Sequence, residues 1–214
     1  MVHIKKLKII MISIILAVIA LIPNNVLADG PSYDITNYDM DAYIQEDGTI
    51  HIDESITYYF SSSANGLTRD LRYFYKTNKD SMEPNSARYQ ATGIENITVA
   101  VTNPANITTN FTKASNAEKG DNGVYTVDAV NADRTDGYDI MVYSPISSNN
   151  FQTVHYSYDI TDAVVQYNDM SEIYYNFIGN GIETDVDEFN LDIYLPKSIN
   201  MDDVNIILIH MLQN

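Results

Sequence analysis

Apolar and polar side chains alternate in two neighbouring runs, residues 33–45 and 49–60. A period of two residues is typical of strands that bury one face. Between the runs lies Asp47-Gly48, whose glycine readily supplies the positive φ of a tight hairpin turn. The pattern therefore predicts an antiparallel β-hairpin.

Similar alternation recurs along the rest of the chain, interrupted by turns that contain Gly, Asn, Asp or Pro. Residues 76–93 have neither a strand period nor a helix period, which predicts a long loop. No segment has a sustained helical period, so we expect an all-β fold, an antiparallel β-sandwich over residues 29–196. The further predicted strands are 94–101, 107–111, 124–130, 138–143, 151–160, 172–178 and 189–195.

The first 28 residues differ in composition from the rest. A segment with three lysines precedes the apolar stretch 9–22, which is shorter than the about 20 residues of a membrane-spanning helix. Ala28 then offers a small residue of the kind that signal peptidase reads. We predict a signal peptide helix, residues 1–28, cleaved between Ala28 and Asp29, and an extracytoplasmic location for the remainder. The alternative is an uncleaved signal anchor.

Charge and cysteine content narrow the class of protein further. The chain has 29 acidic against 12 basic residues, a formal net charge of −17, and no cysteine. Such a chain repels nucleic acid and anionic lipid and favours cations or basic partners. Without cysteines, disulfides and thiolate metal sites are excluded, and stability depends on an ordinary core.

Candidate chemistry is sparse. His51 and His155 each lie within a predicted strand, without a G-x-S-x-G motif in the chain, and are interpreted as strand histidines on a solvated face. The acidic segments 121–123 and 133–139 do not fit the spacing of an EF-hand loop and are interpreted as turns. We therefore predict no catalytic residue, no cofactor and no metal site.

The doublet Asp53-Glu54 lies inside the second predicted strand. Neighbours on a strand face opposite sides, and Glu54 shares the parity of the buried residues. A buried acid needs a partner, which Arg69 or Arg72 could supply. We favour a structural ion pair; a ligand-binding acid and a catalytic acid are the alternatives.

The chain also contains 17 tyrosines, many of them in predicted strands. Strand propensity and half-burial explain most of them. A row of tyrosines facing solvent would instead form a face that binds carbohydrate or protein.

Three segments together resemble a known family: "SYDITNYDMDAYIQEDGTIHIDESITYYF", "NGLTRDL", and "YSYDITDAVVQYNDMSEIYYNFIGNGIETDVDEFNLDIYLP". The chain is similar over residues 32–196 to the YciQ-like family of predicted membrane proteins, domain of unknown function 2207. The resemblance implies an exported β domain followed by membrane-spanning segments, with no established activity. The chain differs from the family pattern in having Tyr175 and Ile182 where the family tends to have Trp.

The resemblance also makes the segment "NGLTRDL" a candidate for a structural or recognition role. Asn65, Gly66, Arg69 and Asp70 are its leading residues, and we interpret the segment as a tight loop in which Asn65-Gly66 adopts positive φ. Arg69 would bond backbone carbonyls or Glu54.

The tail, residues 197–214, breaks the alternation and is predicted to be truncated or irregular. We predict a shortened family member, membrane-bound only through an uncleaved signal or a missing C-terminal part.

The function expected from the sequence is that of an exported, non-enzymatic module. Its partner would be an unidentified extracellular or cell-surface protein or glycan, and not nucleic acid. The alternative is a carboxylate-based hydrolase that acts on extracellular or cell-wall glycans, in which two acids face one another across a cleft.

Overall fold

A computed structural model describes residues 32–75, 91–131, 135–179, 182 and 184–205. The predicted signal peptide, most of the predicted loop 76–93 and the end of the tail, 206–214, lie outside the described residues. The strands are β1 (Tyr33–Ile44), β2 (Ile50–Phe60), β3 (Ala64–Tyr75), β4 (Gly93–Thr102), β5 (Thr108–Asn110), β6 (Thr112–Lys113), β7 (Val124–Asn131), β8 (Thr135–Ile146), β9 (Asn150–Thr161), β10 (Val164–Gln166), β11 (Ser171–Ile173) and β12 (Phe189–Tyr194).

The predicted hairpin is confirmed. β1 and β2 pair antiparallel along their whole length, with one irregularity between Ile35 and Asn37. Gly48 has a φ of 88° in the connecting turn, and the N–H of Gln45 donates to the carbonyl of Thr49 at 2.9 Å. The glycine is required because an L-residue rarely adopts that φ.

The strands form two main sheets and a small hairpin. Sheet A has six strands in the order β12-β1-β2-β9-β4-β5, and sheet B has four in the order β3-β8-β7-β6. β10 and β11 pair separately. Within the described residues the single helical element is a short 3-10 turn, Met201–Asp203, so the all-β expectation is confirmed for that part of the chain.

The expectation of purely antiparallel sheets is wrong. β12 pairs parallel with β1, and β6 pairs parallel with β7. The chain returns after β11 to the free edge of β1, and it arrives there in the direction that β1 itself runs. Alternation within a strand carries no information about the direction of its neighbour, so the sequence pattern could not reveal this.

The segment "NGLTRDL" is not a loop. It lies inside β3, which pairs with β8 from Ala64 to Tyr75. The described residues with positive φ do not include Asn65 or Gly66. Gly66 is instead required for close approach, because a Cβ at this position would collide with the carbonyl oxygen of Val142.

Two other expectations need correction. The predicted strand 172–178 ends at Ile173, and the chain beyond it to Gly179 is irregular. The segment 133–139 is not a turn in its described part, since residues from Thr135 onward belong to β8. In both cases the tertiary neighbours, rather than the local pattern, decide the conformation.

Sheets A and B share one core. The buried face of sheet A carries alternate residues of β1, β2, β9 and β4, and the buried face of sheet B carries residues of β3, β7 and β8; they belong to a single cluster. We call these the inner faces. Fully buried members include Ile52, Ile56, Leu71, Ile140 and Ile160.

Candidate functional site

The inner face of sheet A contains one charged side chain, Glu54, at the middle of β2. Glu54 is 1% exposed and Arg69, which reaches it from β3 of sheet B, is 3% exposed. Arg69 Nε donates to Glu54 Oε1 at 2.9 Å, and Arg69 Nη2 donates to Glu54 Oε2 at 3.1 Å. Glu54 thus lies on the buried face, as the alternation of β2 predicts, and of the two candidate arginines it is Arg69 that contacts it.

Tyr38, from β1, completes a triangle with this pair. Its hydroxyl donates to Glu54 Oε2 at 2.6 Å and accepts from Arg69 Nη2 at 2.8 Å. Burial raises the pKa of Tyr38 well above its ordinary value; Arg69 opposes this shift and Glu54 adds to it. The hydroxyl therefore remains protonated and can donate to the carboxylate throughout the neutral range.

The remaining N–H groups of Arg69 donate to backbone carbonyls, one in β3 and one in the chain after β11. Its Nη1 donates to the carbonyl of Asp70 at 3.1 Å and to that of Ile178 at 3.2 Å. A guanidinium has five N–H donors, and each of them has an acceptor at this site. Burial would lower the pKa of Arg69, but Glu54 and Tyr38 outweigh it and raise that pKa, so the side chain is charged.

Gly179 allows the irregular segment to lie directly over the guanidinium. Its φ is 82°, and a Cβ there would lie 2.9 Å from Arg69 Nη1. A side chain at this position would therefore strain the backbone and press on the arginine. The buried arginine thus links both sheets and this irregular segment.

Next to this network lie two buried tyrosines, Tyr156 and Tyr158 of β9. Glu54 pairs across the sheet with Tyr156, and the hydroxyls of both tyrosines are buried without a hydrogen-bond partner. Burial raises the pKa of each well above its ordinary value. These hydroxyls remain protonated and contribute nothing to the charge of the core.

The other residues of the segment "NGLTRDL" are distributed over both sides of β3. Asn65 is exposed and Asp70 is half-buried. Asp70 lies 3.8 Å from Arg72 Nη2, which also donates to Asp139 at 2.7 Å. Of the predicted set, Glu54 and Asp70 both contact Arg69, Glu54 through its carboxylate and Asp70 through its backbone carbonyl, with Asp70 Oδ1 4.0 Å from Arg69 Nη1. Glu54 and Arg69 are closed to solvent.

The opposite, outer face of sheet A is strongly acidic. The strands of this sheet contain no Lys or Arg. Carboxylates occupy positions on β1, β2, β4, β9 and β12 that are exposed or half-buried. They are Asp34, Asp39, Asp41, Asp53, Glu95, Asp159 and Asp192.

Both predicted strand histidines lie on this outer face, and both are half-buried. His51 Nδ1 lies 2.7 Å from Asp159 Oδ1, and Asn96 donates to the other oxygen of Asp159 at 2.6 Å. Burial of Asp159 disfavours its charged form, but the hydrogen bonds from Asn96 and His51 outweigh burial and hold its pKa below the ordinary value. Asp159 is therefore ionised at neutral pH.

His155 lies between two hydroxyl groups. Its Nδ1 is 2.7 Å from Ser55 Oγ and its Nε2 is 2.8 Å from Thr102 Oγ1. Burial lowers the pKa of His155, so the ring is neutral at pH 7, with one nitrogen accepting and the other donating. In a catalytic triad, a carboxylate orients the histidine that acts as the base. At His155 a hydroxyl group takes the place of that carboxylate.

Two pairs of aromatic side chains interrupt the acidic surface. Tyr43 and Tyr194 stack with centroids 4.6 Å apart and planes inclined by 10°, and they are 36% and 45% exposed. Burial and the charges of nearby aspartates, Asp41 among them, raise the pKa of Tyr43. The sequence left open whether some tyrosines face solvent and form a binding face; Tyr43 and Tyr194 do face solvent.

The second pair borders a cavity. Tyr59 and Phe151 are cross-strand neighbours with ring centroids 4.9 Å apart, and Phe151 is 52% exposed. The cavity has a volume of about 400 Å³. It is lined by Asp34, Thr36, Tyr59, Phe151, Asp185 and Asp187.

This cavity is not evident from the sequence pattern. Tyr59 meets Phe151 through the pairing of β2 with β9, and Asp34 lies opposite Tyr59 in the pairing of β1 with β2. The bridge between Ile35 and Val186 brings Asp185 and Asp187 alongside. A pattern of outward-facing aromatic and acidic positions is visible in the sequence, but their adjacency depends on sheet order and register.

Within the described part of the chain, no group of three or more His, Cys, Asp or Glu side chains is arranged to hold a metal ion. The described residues also include no helix that is long and apolar enough to span a membrane.

The family described as the N-terminal domain of a predicted membrane protein, DUF2207, matches residues 34–210. This match extends over more than half of the chain. No curated protein matches it.

Among solved structures, the chain is similar to an M1 zinc metallopeptidase from Deinococcus radiodurans, with 11% identity and a TM-score of 0.31, over 60% of this chain and 20% of that one. It is also similar to a variant of a two-domain M1 zinc metallopeptidase bound to L-arginine, with 10% identity and a TM-score of 0.34, over 78% and 33% of the two chains. The chain thus spans a fifth to a third of these proteins, and likenesses at this level carry no argument about function.

Proposed function

Since the chain belongs to the family of predicted membrane proteins whose N-terminal domain matches residues 34–210, we propose that it is an exported, non-enzymatic β-sandwich module. Its task is to bind a protein or glycan outside the cytoplasm, and its binding surface is the outer face of sheet A. The buried Glu54–Arg69 pair is structural and holds the two sheets together.

The observation that supports this proposal is a contrast between two groups of acids: the buried acid is paired with an arginine, and the outer acids have no Lys or Arg within their sheet. Among the described residues, Glu54 is the only buried acid, and its charge is balanced by Arg69 at 2.9 Å. The outer face of the same sheet has many carboxylates and two aromatic pairs, of which Tyr43, Tyr194 and Phe151 are exposed, and its strands contain no Lys or Arg. Exposed aromatic groups and uncompensated charge are properties of binding surfaces more than of ordinary solvated ones.

The alternative, a carboxylate-based glycan hydrolase, has weaker support. It requires two carboxyl groups facing each other across a cleft, with the pKa of one raised so that it acts as a general acid. The buried carboxylate is fully occupied by Arg69 and Tyr38. The acids around the cavity at Tyr59 and Phe151 are all exposed to solvent, so none of them lies in the apolar pocket that a general acid of this type occupies.

Export is part of the proposal and rests on residues 1–28. A signal peptide cleaved between Ala28 and Asp29 would release the module, and an uncleaved signal would keep it at the membrane surface. Either arrangement presents the outer face of sheet A to the extracytoplasmic space.

The experiment is expression of the full chain with its own N-terminal segment, followed by cell fractionation and N-terminal sequencing. We expect the product to begin at Asp29 and to be degraded by protease added to intact cells. A product that is protected in intact cells and retains Met1 would contradict export. Incubation of the processed protein with cell-surface glycans should release no product; turnover abolished by a point change at any carboxylate would contradict the non-enzymatic assignment.

A further inference from the structure

The cavity beside Tyr59 and Phe151 has a composition that selects one type of side chain. The centroids of two aromatic rings lie 4.9 Å apart, and three carboxylates, Asp34, Asp185 and Asp187, line the same cavity. We propose that this cavity receives an arginine side chain of a basic polypeptide segment that lies across the outer face of sheet A. This inference rests on the proposed function and specifies the chemistry of the partner.

The aromatic pair accounts for the preference for arginine. A guanidinium is planar and weakly hydrated, so it stacks on an aromatic ring while its N–H groups donate to carboxylates at the edge. Phe151, at 52% exposure, presents a large apolar surface to solvent. A lysine ammonium would satisfy the carboxylates but would cover less of that surface.

The charge of the surrounding surface favours the binding of a basic segment over the binding of a single cation. From the cavity, the acidic row continues along β1 through Asp39 and Asp41 towards the stacked pair Tyr43 and Tyr194. Residues rise by about 3.3 Å in a strand, so the distance from Asp34 to Asp41 is about 23 Å, which an extended segment of about seven residues would cover.

Other ligand classes fit this surface less well. A divalent metal needs several oxygens that converge on one point, and the described residues contain no such group. Nucleic acid and other polyanions would be repelled by the uncompensated carboxylates. A neutral glycan could stack on Phe151, but it would gain nothing from the charge; binding of a glycan is therefore an outcome that the experiment must be able to detect.

The test uses the full chain, expressed with residues 1–28 so that the cell processes them. The probe is a fluorescent oligo-arginine peptide of about seven residues, and its binding is followed by anisotropy. An oligo-lysine peptide of the same length and a set of neutral cell-wall oligosaccharides serve as comparison probes. We expect the arginine peptide to bind most tightly, the lysine peptide more weakly, and the oligosaccharides not at all.

Three variants separate the cavity from general attraction between opposite charges. Asp185→Asn with Asp187→Asn should weaken arginine-peptide binding by roughly fivefold to tenfold. Glu118→Gln with Asp128→Asn removes the same charge from exposed positions near and on sheet B and should change binding less than twofold. Phe151→Ala, which leaves the charge unchanged, should weaken the arginine peptide but not the lysine peptide. Unchanged thermal unfolding of each variant verifies its fold.

Equal weakening by both charge-removing variants, together with no effect of Phe151→Ala, would show that the attraction is unspecific and would overturn the inference. Preferential binding of an oligosaccharide would overturn the cationic partner yet leave the proposed binding function intact. Failure of every probe to bind would also reject the arginine site. The proposed function is rejected by different results, namely absence of export or glycan turnover that depends on a carboxylate.

Discussion

The two faces of sheet A use the same type of side chain in opposite ways. On the inner face, the carboxylate of Glu54 is removed from water and has three hydrogen bonds, from Arg69 and Tyr38. On the outer face, the row of carboxylates has no Lys or Arg within the sheet and faces solvent. A charge in a low-dielectric interior is costly unless it is paired, while an exposed charge has little effect on stability and is free to attract a partner. The inner carboxylate therefore contributes to stability, and the outer carboxylates are the ones that the proposed function uses for recognition.

The largest expected effect tests the inner face directly. Glu54→Ala should lower the free energy of unfolding by about 3–5 kcal/mol, because it leaves the buried charge of Arg69 uncompensated. The neighbouring Asp53→Ala, on the outer face of the same strand, should change it by no more than about 0.5 kcal/mol. Urea unfolding of the two variants checks the contrast, and a similar small effect for both would mean that the two faces do not differ.

Tyr38 and Tyr158 allow a finer comparison within the inner face. Tyr38→Phe removes the hydroxyl that bridges Glu54 and Arg69 and should cost about 1.5–3 kcal/mol, as for a hydrogen bond to a charged group. Tyr158→Phe removes a buried hydroxyl without a partner and should leave the stability unchanged or increase it. The free energies of unfolding of both variants provide the measurement. A larger loss of stability for Tyr158→Phe would mean that the hydroxyl of Tyr158, and not that of Tyr38, stabilises the core.

The packing of β3 against β8 sets the position of Arg69 and can be disturbed by a single methyl group. Gly66→Ala should destabilise the protein by about 1–3 kcal/mol, as for other overpacked sites, because the new Cβ would collide with the carbonyl of Val142. Gly93→Ala is the matched control, since its Cβ would meet Thr161 Oγ1 at an ordinary 3.4 Å. The thermal unfolding midpoints of the two variants measure the difference. An unchanged midpoint for Gly66→Ala would mean that β3 has space for a Cβ at this position or that this segment is not a strand.

The smallest effect concerns the outer face and its dependence on pH. The pKa of Asp159 is lower in the folded protein than its ordinary value, so its stabilisation is fully present above the unfolded pKa of about 3.9 and is lost as pH falls through the folded pKa. Wild-type protein should therefore lose stability relative to Asp159→Asn below about pH 4, by less than about 1 kcal/mol. Chemical unfolding at pH 7 and pH 3 measures the difference. If Asp159→Asn loses more stability than wild type between these two pH values, the prediction is wrong.

Local pattern predicted the elements that depend on local chemistry. The hairpin of β1 and β2, its glycine turn and the inward position of Glu54 follow from a period of two and a positive-φ residue. The pattern failed at "NGLTRDL", where Gly66 signalled a turn but serves close packing against β8. It also failed after Ile173, where the chain is irregular, Arg69 donates to the carbonyl of Ile178 and Gly179 has a positive φ.

The sequence by itself determined which face of each strand is apolar, because alternation is a property of neighbouring residues along one strand. Tertiary structure decided which strands are neighbours, that β12 returns parallel to β1, and that Arg69 rather than Arg72 contacts Glu54. It also brought Tyr59, Phe151 and the aspartates together at one cavity. Sheet order and register depend on burying both inner faces at once, and that requirement involves residues distant in the chain, so no local segment of the sequence contains it.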